Sequence, residues 1–167
     1  MSLWLGAESG PDAERKNALM SEKMVKIALP LSDDDRELFG FSVETVWASV
    51  DETARDRFVL ENIPFAVQGF GYLDRVTCVE REGMRCVADV VERSGYSTIH
   101  VVILQDAALT VLKESLREYG CEWEGGHGGL YAVAVPPGTG FEDVSKLMAA
   151  LQDDGMISYR IAHRSDH

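Results

Sequence analysis

Four histidines and three cysteines are the side chains of this 167-residue chain best suited to chemistry, and their spacing limits what they can do. His163 and His167 lie near the C-terminus, where exposure is the default. His100 alternates with apolar positions in a β-prone run and reads as a surface or half-buried sheet residue. His127 sits between Gly125-Gly126 and Gly128-Gly129, a loop free enough to carry an imidazole onto a ligand and equally what a wide hairpin needs. Cys121 precedes it by six positions, which matches no thiol–imidazole arrangement. Asp74 stands among turn residues, where a carboxylate caps backbone amides more readily than it moves protons. Asp74 and His127 are therefore the weak catalytic candidates.

Cys78, Cys86 and Cys121 are odd in number and form no C-x-x-C pair, so neither a zinc site nor a disulfide scaffold is expected. No register of Asp33-Asp34-Asp35 combines a glycine at the sixth position with a glutamate at the twelfth, as a calcium loop requires. The string reads as a solvated turn. Gly69-Phe70-Gly71 lacks the third glycine of a dinucleotide fingerprint and leads into a strand, and no P-loop or G-x-S-x-G string occurs. No metal and no cofactor is expected.

The elements that must position these residues come from hydrophobic period and turn chemistry. Val25, Ile27 and Leu29 alternate with Lys26, Ala28 and Pro30, a strand with one buried face. Thr45 to Val50 and Arg57 to Leu60 flank a polar stretch as a wide hairpin, closed by Asn62-Ile63-Pro64-Phe65. Val76 to Glu80 and Met84 to Val91 form a tighter hairpin. A three-residue loop Arg81-Glu82-Gly83 would pair Cys78 with Cys86, Val76 with Ala88 and Arg75 with Asp89, making the two cysteines inert cross-strand neighbours on the buried face. A two-residue loop would set Val76 opposite Asp89, so the three-residue register, which keeps one face apolar and puts an ion pair on the other, is the expectation.

From Ser97 onward the order is β-α-β-β-α-β. Ser97 to Leu104 is a strand whose run Val101-Val102-Ile103-Leu104 suggests burial on both faces. Ala107 to Tyr119 is a helix capped by Asp106 and stopped by Gly120, with Leu109, Leu112, Leu116 and Tyr119 on one stripe. Cys121 to Glu124 and Leu130 to Val135 are strands. Thr139 and Glu142 make a capping box for a second helix with Val144, Leu147, Met148 and Leu151 inward, ahead of a last strand, Ile157 to Ala162. The expectation is an α+β fold: a flexible N-terminal tail over 1–23, a small SH3-like β-barrel over 24–96, a ferredoxin-like βαββαβ unit over 97–163 and a short tail over 164–167.

Acidic residues outnumber basic ones 28 to 16, a formal net charge of −12. Such a surface disfavours nucleic acid and suits a basic protein partner or a small molecule. Without a long apolar run or a signal-like N-terminus, the expectation is a cytoplasmic protein that does not engage membranes.

The strings Glu44-Thr45-Val46-Trp47, Phe58-Val59-Leu60-Glu61-Asn62-Ile63-Pro64-Phe65, Gly71-Tyr72-Leu73-Asp74-Arg75-Val76, Ser94-Gly95-Tyr96-Ser97-Thr98 and Leu130 to Pro137 together resemble an uncharacterised bacterial family, domain of unknown function four-two-six-five. The resemblance spans about Val25 to Ala162 and implies a fold and a bacterial origin; the family has no assigned activity to carry over. That family's pattern more often has histidine where this chain has Tyr96, which weakens any general base there.

Aromatic residues of the barrel half, Trp47, Phe65, Tyr72 and Tyr96, are the candidate binding residues if they stay exposed together. The preferred reading is a non-enzymatic bacterial binding module recognising a protein, for example in an immunity-like masking of a basic toxin, or a small ligand. The alternatives are an enzyme with an acid/base site where barrel and sheet meet, and a structural or oligomerising protein, a homodimer through the sheet face away from the helices.

Overall fold

A computed structural model describes residues 8–9, 24–125 and 127–166. The expected tail over 1–23 lies outside the described residues except Glu8 and Ser9, which form a two-residue strand, β1 (Glu8–Ser9).

β2 (Met24–Pro30) buries Ile27 and Leu29. It pairs along its whole length with β3 (Val43–Val50), whose Val46 and Ala48 point the same way. Between them lies a helix where the aspartate string reads as a turn, α1 (Asp33–Phe39). Ser32 caps it, its Oγ accepting from the Asp35 amide at 3.2 Å, and Gly40 closes it at φ 76°. The three aspartates occupy the first turn, where the helix dipole favours negative charge, and Asp35 is buried rather than solvated.

β4 (Arg57–Leu60), β5 (Arg75–Arg81) and β6 (Met84–Glu92) complete a closed five-stranded barrel, sealed by a single parallel bridge between Ala28 and Cys86. Its core holds Ile27, Leu29, Val46, Leu60, Val67 and Val76. The β5–β6 turn has two residues, Glu82 and Gly83, both at positive φ (51° and 77°), because that twist matches the flanking strands. Cys78 therefore faces Val87, and Cys86 faces Val79 on the other side of the hairpin, so the cysteines are not cross-strand neighbours. Two register shifts further along set Val76 opposite Val90 and Arg75 opposite Glu92, whose carboxylate, not that of Asp89, pairs with Arg75 at 2.8 Å. The bulges restore the apolar pairing that the short turn alone would lose.

The second unit contains β7 (Ser97–Ile103), α2 (Ala107–Glu118), β8 (Glu122–Gly125), a 3-10 turn at His127–Gly129, β9 (Leu130–Val135), α3 (Phe141–Asp153) and β10 (Ile157–His163). Its sheet runs β1-β8-β9-β7-β10, antiparallel throughout. One face carries Ile99, Val101, Trp123, Val133 and Ile157 against Leu112, Leu116, Val144 and Met148 of the two helices. β7 is buried on both faces over Ser97 to Val101, earlier than its aliphatic run suggests, and Val102 and Leu104 are exposed.

Neither expected helix cap forms. Asp106 is itself helical and makes no capping hydrogen bond, while Thr139 donates to the Tyr119 carbonyl at 3.2 Å, tying the start of α3 to the end of α2. Glu142 is taken by Arg164 at 2.7 Å. The described residues thus form a mixed α+β structure with two sheets and three helices. Among the described residues no helix is long and apolar enough to cross a membrane.

Candidate functional site

The second face of the sheet is covered by the segment between β4 and β5. Ile63, Phe65 and Tyr72 pack on Ala132 and Ala134, whose small side chains let this segment approach the strand closely. Polar groups that accompany this contact are buried, and burial without a partner is costly, so the partners of each define the site.

Glu44 occupies an inward position of β3, in phase with Val46 and Ala48. Its Oε1 accepts the Phe65 amide at 2.7 Å, and its Oε2 accepts those of Ala66 and Val67 at 3.0 and 3.1 Å. Three successive amides are thereby folded around one carboxylate. Burial pushes the Glu44 carboxyl up, and the three donors pull it back toward ionisation. Asn62 accepts from the Trp47 amide at 2.8 Å and donates to Glu124 of β8 at 3.1 Å, and Glu124 also accepts the Ile63 amide at 3.1 Å.

His100 is buried in the sheet face rather than surface-exposed. Its Nε2 lies 2.8 Å from the Pro64 carbonyl and its Nδ1 accepts from Arg160 Nε at 3.1 Å, which fixes the proton on Nε2. Burial, and then the neighbouring Arg160 charge, push its pKa down to about 4. Arg160 of β10 donates from Nη1 to Asp35 at 2.7 Å and from Nη2 to the Ala66 carbonyl at 2.8 Å. One guanidinium thus joins α1, the β4–β5 segment and the sheet. Burial raises the Asp35 pKa, but hydrogen bonds from Arg160, Gln68 and Ser32 outweigh it and hold the carboxyl below its usual value.

Beside this network is a cleft of about 60 Å³ where barrel and sheet meet. Phe39, Phe41, Val46, Phe65 and Leu130 give it apolar walls, and Glu44 and Glu124 reach it. The rings of Phe39 and Phe41 stand 5.8 Å apart, tilted by 38°.

Asp74 is fully buried. It accepts from the amides of Gly71 and Ser94, each at 2.9 Å, and from Arg93 at 2.7 Å, so it organises the turn that leads into β5. His127 contributes its backbone to the 3-10 turn, and its side chain lies outside the described residues. Phe65 and Tyr72 are buried in the junction, and Tyr96 meets Tyr72 edge-on at 5.3 Å. Trp47 stands apart on the outer side of β3, with the Lys26 ammonium 5.1 Å from its ring. Cys121 is buried in the helix-side core, with a thiol that burial pushes up to about 12. His163 belongs to β10 and is half-buried, not an exposed tail residue. Among the described residues no group of three His, Cys, Asp or Glu side chains is placed to hold a metal ion.

Glu44, Asp35, His100 and Arg160 are absent from the sequence-derived candidates. Glu44 carries a legible signal, a charge on the apolar phase of a strand. Asp35 and Arg160 are 125 positions apart and carry none.

Together these features define an α+β protein in which a closed barrel is joined to one face of a helix-backed sheet by a hydrogen-bonded clamp. A family model, Domain of unknown function (DUF4265), matches residues 44–159, and the chain belongs to that family, as the resemblance implies. Its fold is also that of a protein described as a "novel crystal structure of a hypothetical protein from Neisseria gonorrhoeae", with a TM-score of 0.70 and 17% identity over 88% of this chain and 99% of that one. No curated protein matches it.

Proposed function

We propose that the chain is a non-enzymatic bacterial binding module, and that the largely apolar cleft between barrel and sheet receives a group of a protein or small ligand that has an apolar stem. The observation that carries this reading is how the junction's ionisable groups are engaged. A general base needs a lone pair open to substrate. The Nδ1 of His100 is held by Arg160, and the carboxylate oxygens of Asp74 accept from Gly71, Arg93 and Ser94. What remains open is an apolar cleft flanked by two phenylalanine rings. Pairing of two copies through the sheet face away from the helices is disfavoured, because Ile63, Phe65 and Tyr72 cover that face.

We read residues 24–96 as an SH3-like barrel and 97–163 as a ferredoxin-like unit. Five strands closed through a parallel first-to-last contact support the first, and the order β8-β9-β7-β10 with both helices on one face supports the second. Free thiols at Cys78, Cys86 and Cys121 suit a reducing, cytoplasmic setting.

The test is a titration of the nitrogen-15-labelled protein with a library of small apolar fragments. The expected result is amide shifts centred on Phe41, Phe65 and Ala66 that are lost in Phe41→Ala. Fragments that bind only elsewhere, or none that bind, would remove the cleft as the recognition site.

A further inference from the structure

The volume and the charge of the cleft narrow what it can accept. About 60 Å³ is several times smaller than the roughly 300 Å³ at which pockets begin to enclose whole small molecules. The cleft therefore takes the tip of a side chain, and the rest of the ligand lies outside. Glu44 faces it with three amide donors and, among the described residues, no cation paired to its carboxylate. Arg160, which stacks on Phe39 with its guanidinium 5.5 Å from the ring, is committed to Asp35 at 2.7 Å. Glu124, also at the wall, is already engaged by Asn62 and the Ile63 amide. A buried anion held in an apolar setting attracts a desolvated cation strongly, and phenylalanine rings favour a cationic tip and its methylene stem. The formal charge of −12 steers basic proteins toward this surface.

We propose, resting on the binding-module reading above, that the group entering the cleft is the cationic tip of a lysine or arginine side chain of a basic protein partner. The stem lies against Phe39 and Phe41, and the charge meets Glu44.

The experiment titrates the full, nitrogen-15-labelled chain with N-acetyl-lysine methylamide, N-acetyl-arginine methylamide and their neutral counterpart N-acetyl-norleucine methylamide. The reporters are the amides of Phe65, Ala66 and Val67, whose protons rest on the Glu44 carboxylate. The cationic probes are expected to shift these three amides. Norleucine is expected to bind about tenfold more weakly, which is about 1.4 kcal/mol, and added salt is expected to narrow that gap. If norleucine binds as tightly at the same amides, the cationic assignment fails while the apolar cleft stands. If n-butylammonium binds more tightly than the lysine probe, the occupant is a free amine and the protein partner is overturned. If no probe moves these amides, the binding-module reading falls with the inference.

Discussion

Lowering the pH from 7 to 4 protonates His100 in a place built for its neutral form. The Nε2–H already donates to the Pro64 carbonyl, and a proton on Nδ1 would point at the Arg160 donor that now fills that lone pair. The folded-state pKa is about 4 against 6.5 for an unhindered histidine, so the unfolded chain binds more protons through this interval. The stabilisation is complete above pH 6.5 and is lost as the pH falls toward 4. The difference between 6.5 and about 4 corresponds to about 3 kcal/mol. Asp35 and Asp51, held below their usual values, lose stability in acid as well, and Glu44, raised, acts in the opposite sense, so the His100 share needs a reference. His100→Gln supplies one, since its amide can donate to Pro64 and accept from Arg160 without titrating. Urea unfolding of both proteins at intervals across the range is the assay. Relative to the variant, the wild type is expected to lose about 3 kcal/mol between pH 7 and pH 4, and its His100 ring to remain neutral by NMR at pH 5. Parallel stability curves, or a ring that titrates near 6.5, would refute the reasoning.

Asp74→Ala strands the buried amides of Gly71 and Ser94 and is expected to cost about 3 kcal/mol in urea unfolding. In Gly71→Ala the new methyl would lie 2.7 Å from the Tyr96 carbonyl oxygen, so a fall in stability of at least about 2 kcal/mol is expected by thermal unfolding. The Cys78 thiol is pushed up to about 11 and that of Cys121 to about 12, both chiefly by burial. Mass spectrometry after iodoacetamide at pH 8 is therefore expected to find Cys86 alkylated first. Mild oxidation is expected to leave Cys78 and Cys86 unbridged, because they face opposite sides of their hairpin.

The parts of the fold that were legible in the sequence are those governed by local period. Leu112 with Leu116, and Val144 with Met148 and Leu151, place two helices on one sheet face as their spacing predicts. The hairpin of β5 and β6 was legible, but its register was not. The turn took the two-residue form its twist favours, and two bulges, which leave no mark in an apolar pattern, corrected the pairing afterwards. α1 was hidden because seven residues beginning with three aspartates have almost no apolar stripe. Its support comes from the Ser32 cap and from Arg160, 125 positions from Asp35. The junction was illegible for the same reason: the groups facing Glu44 are backbone amides, and every sequence supplies those. The parity of Glu44 within β3 was the one available sign.

The stretch from Asn62 to Leu73 belongs by chain order to the barrel and by burial to the sheet, since it roofs Ala132 and Ala134. Neither half has a finished surface without the other. A fragment starting at Ser97 would show water a bare plane of alanines and a His100 without its Pro64 carbonyl, and one ending at Tyr96 would leave Ile63, Phe65 and Tyr72 uncovered. Folding is therefore expected as one all-or-none event for the whole body, with separate expression of either piece giving insoluble material.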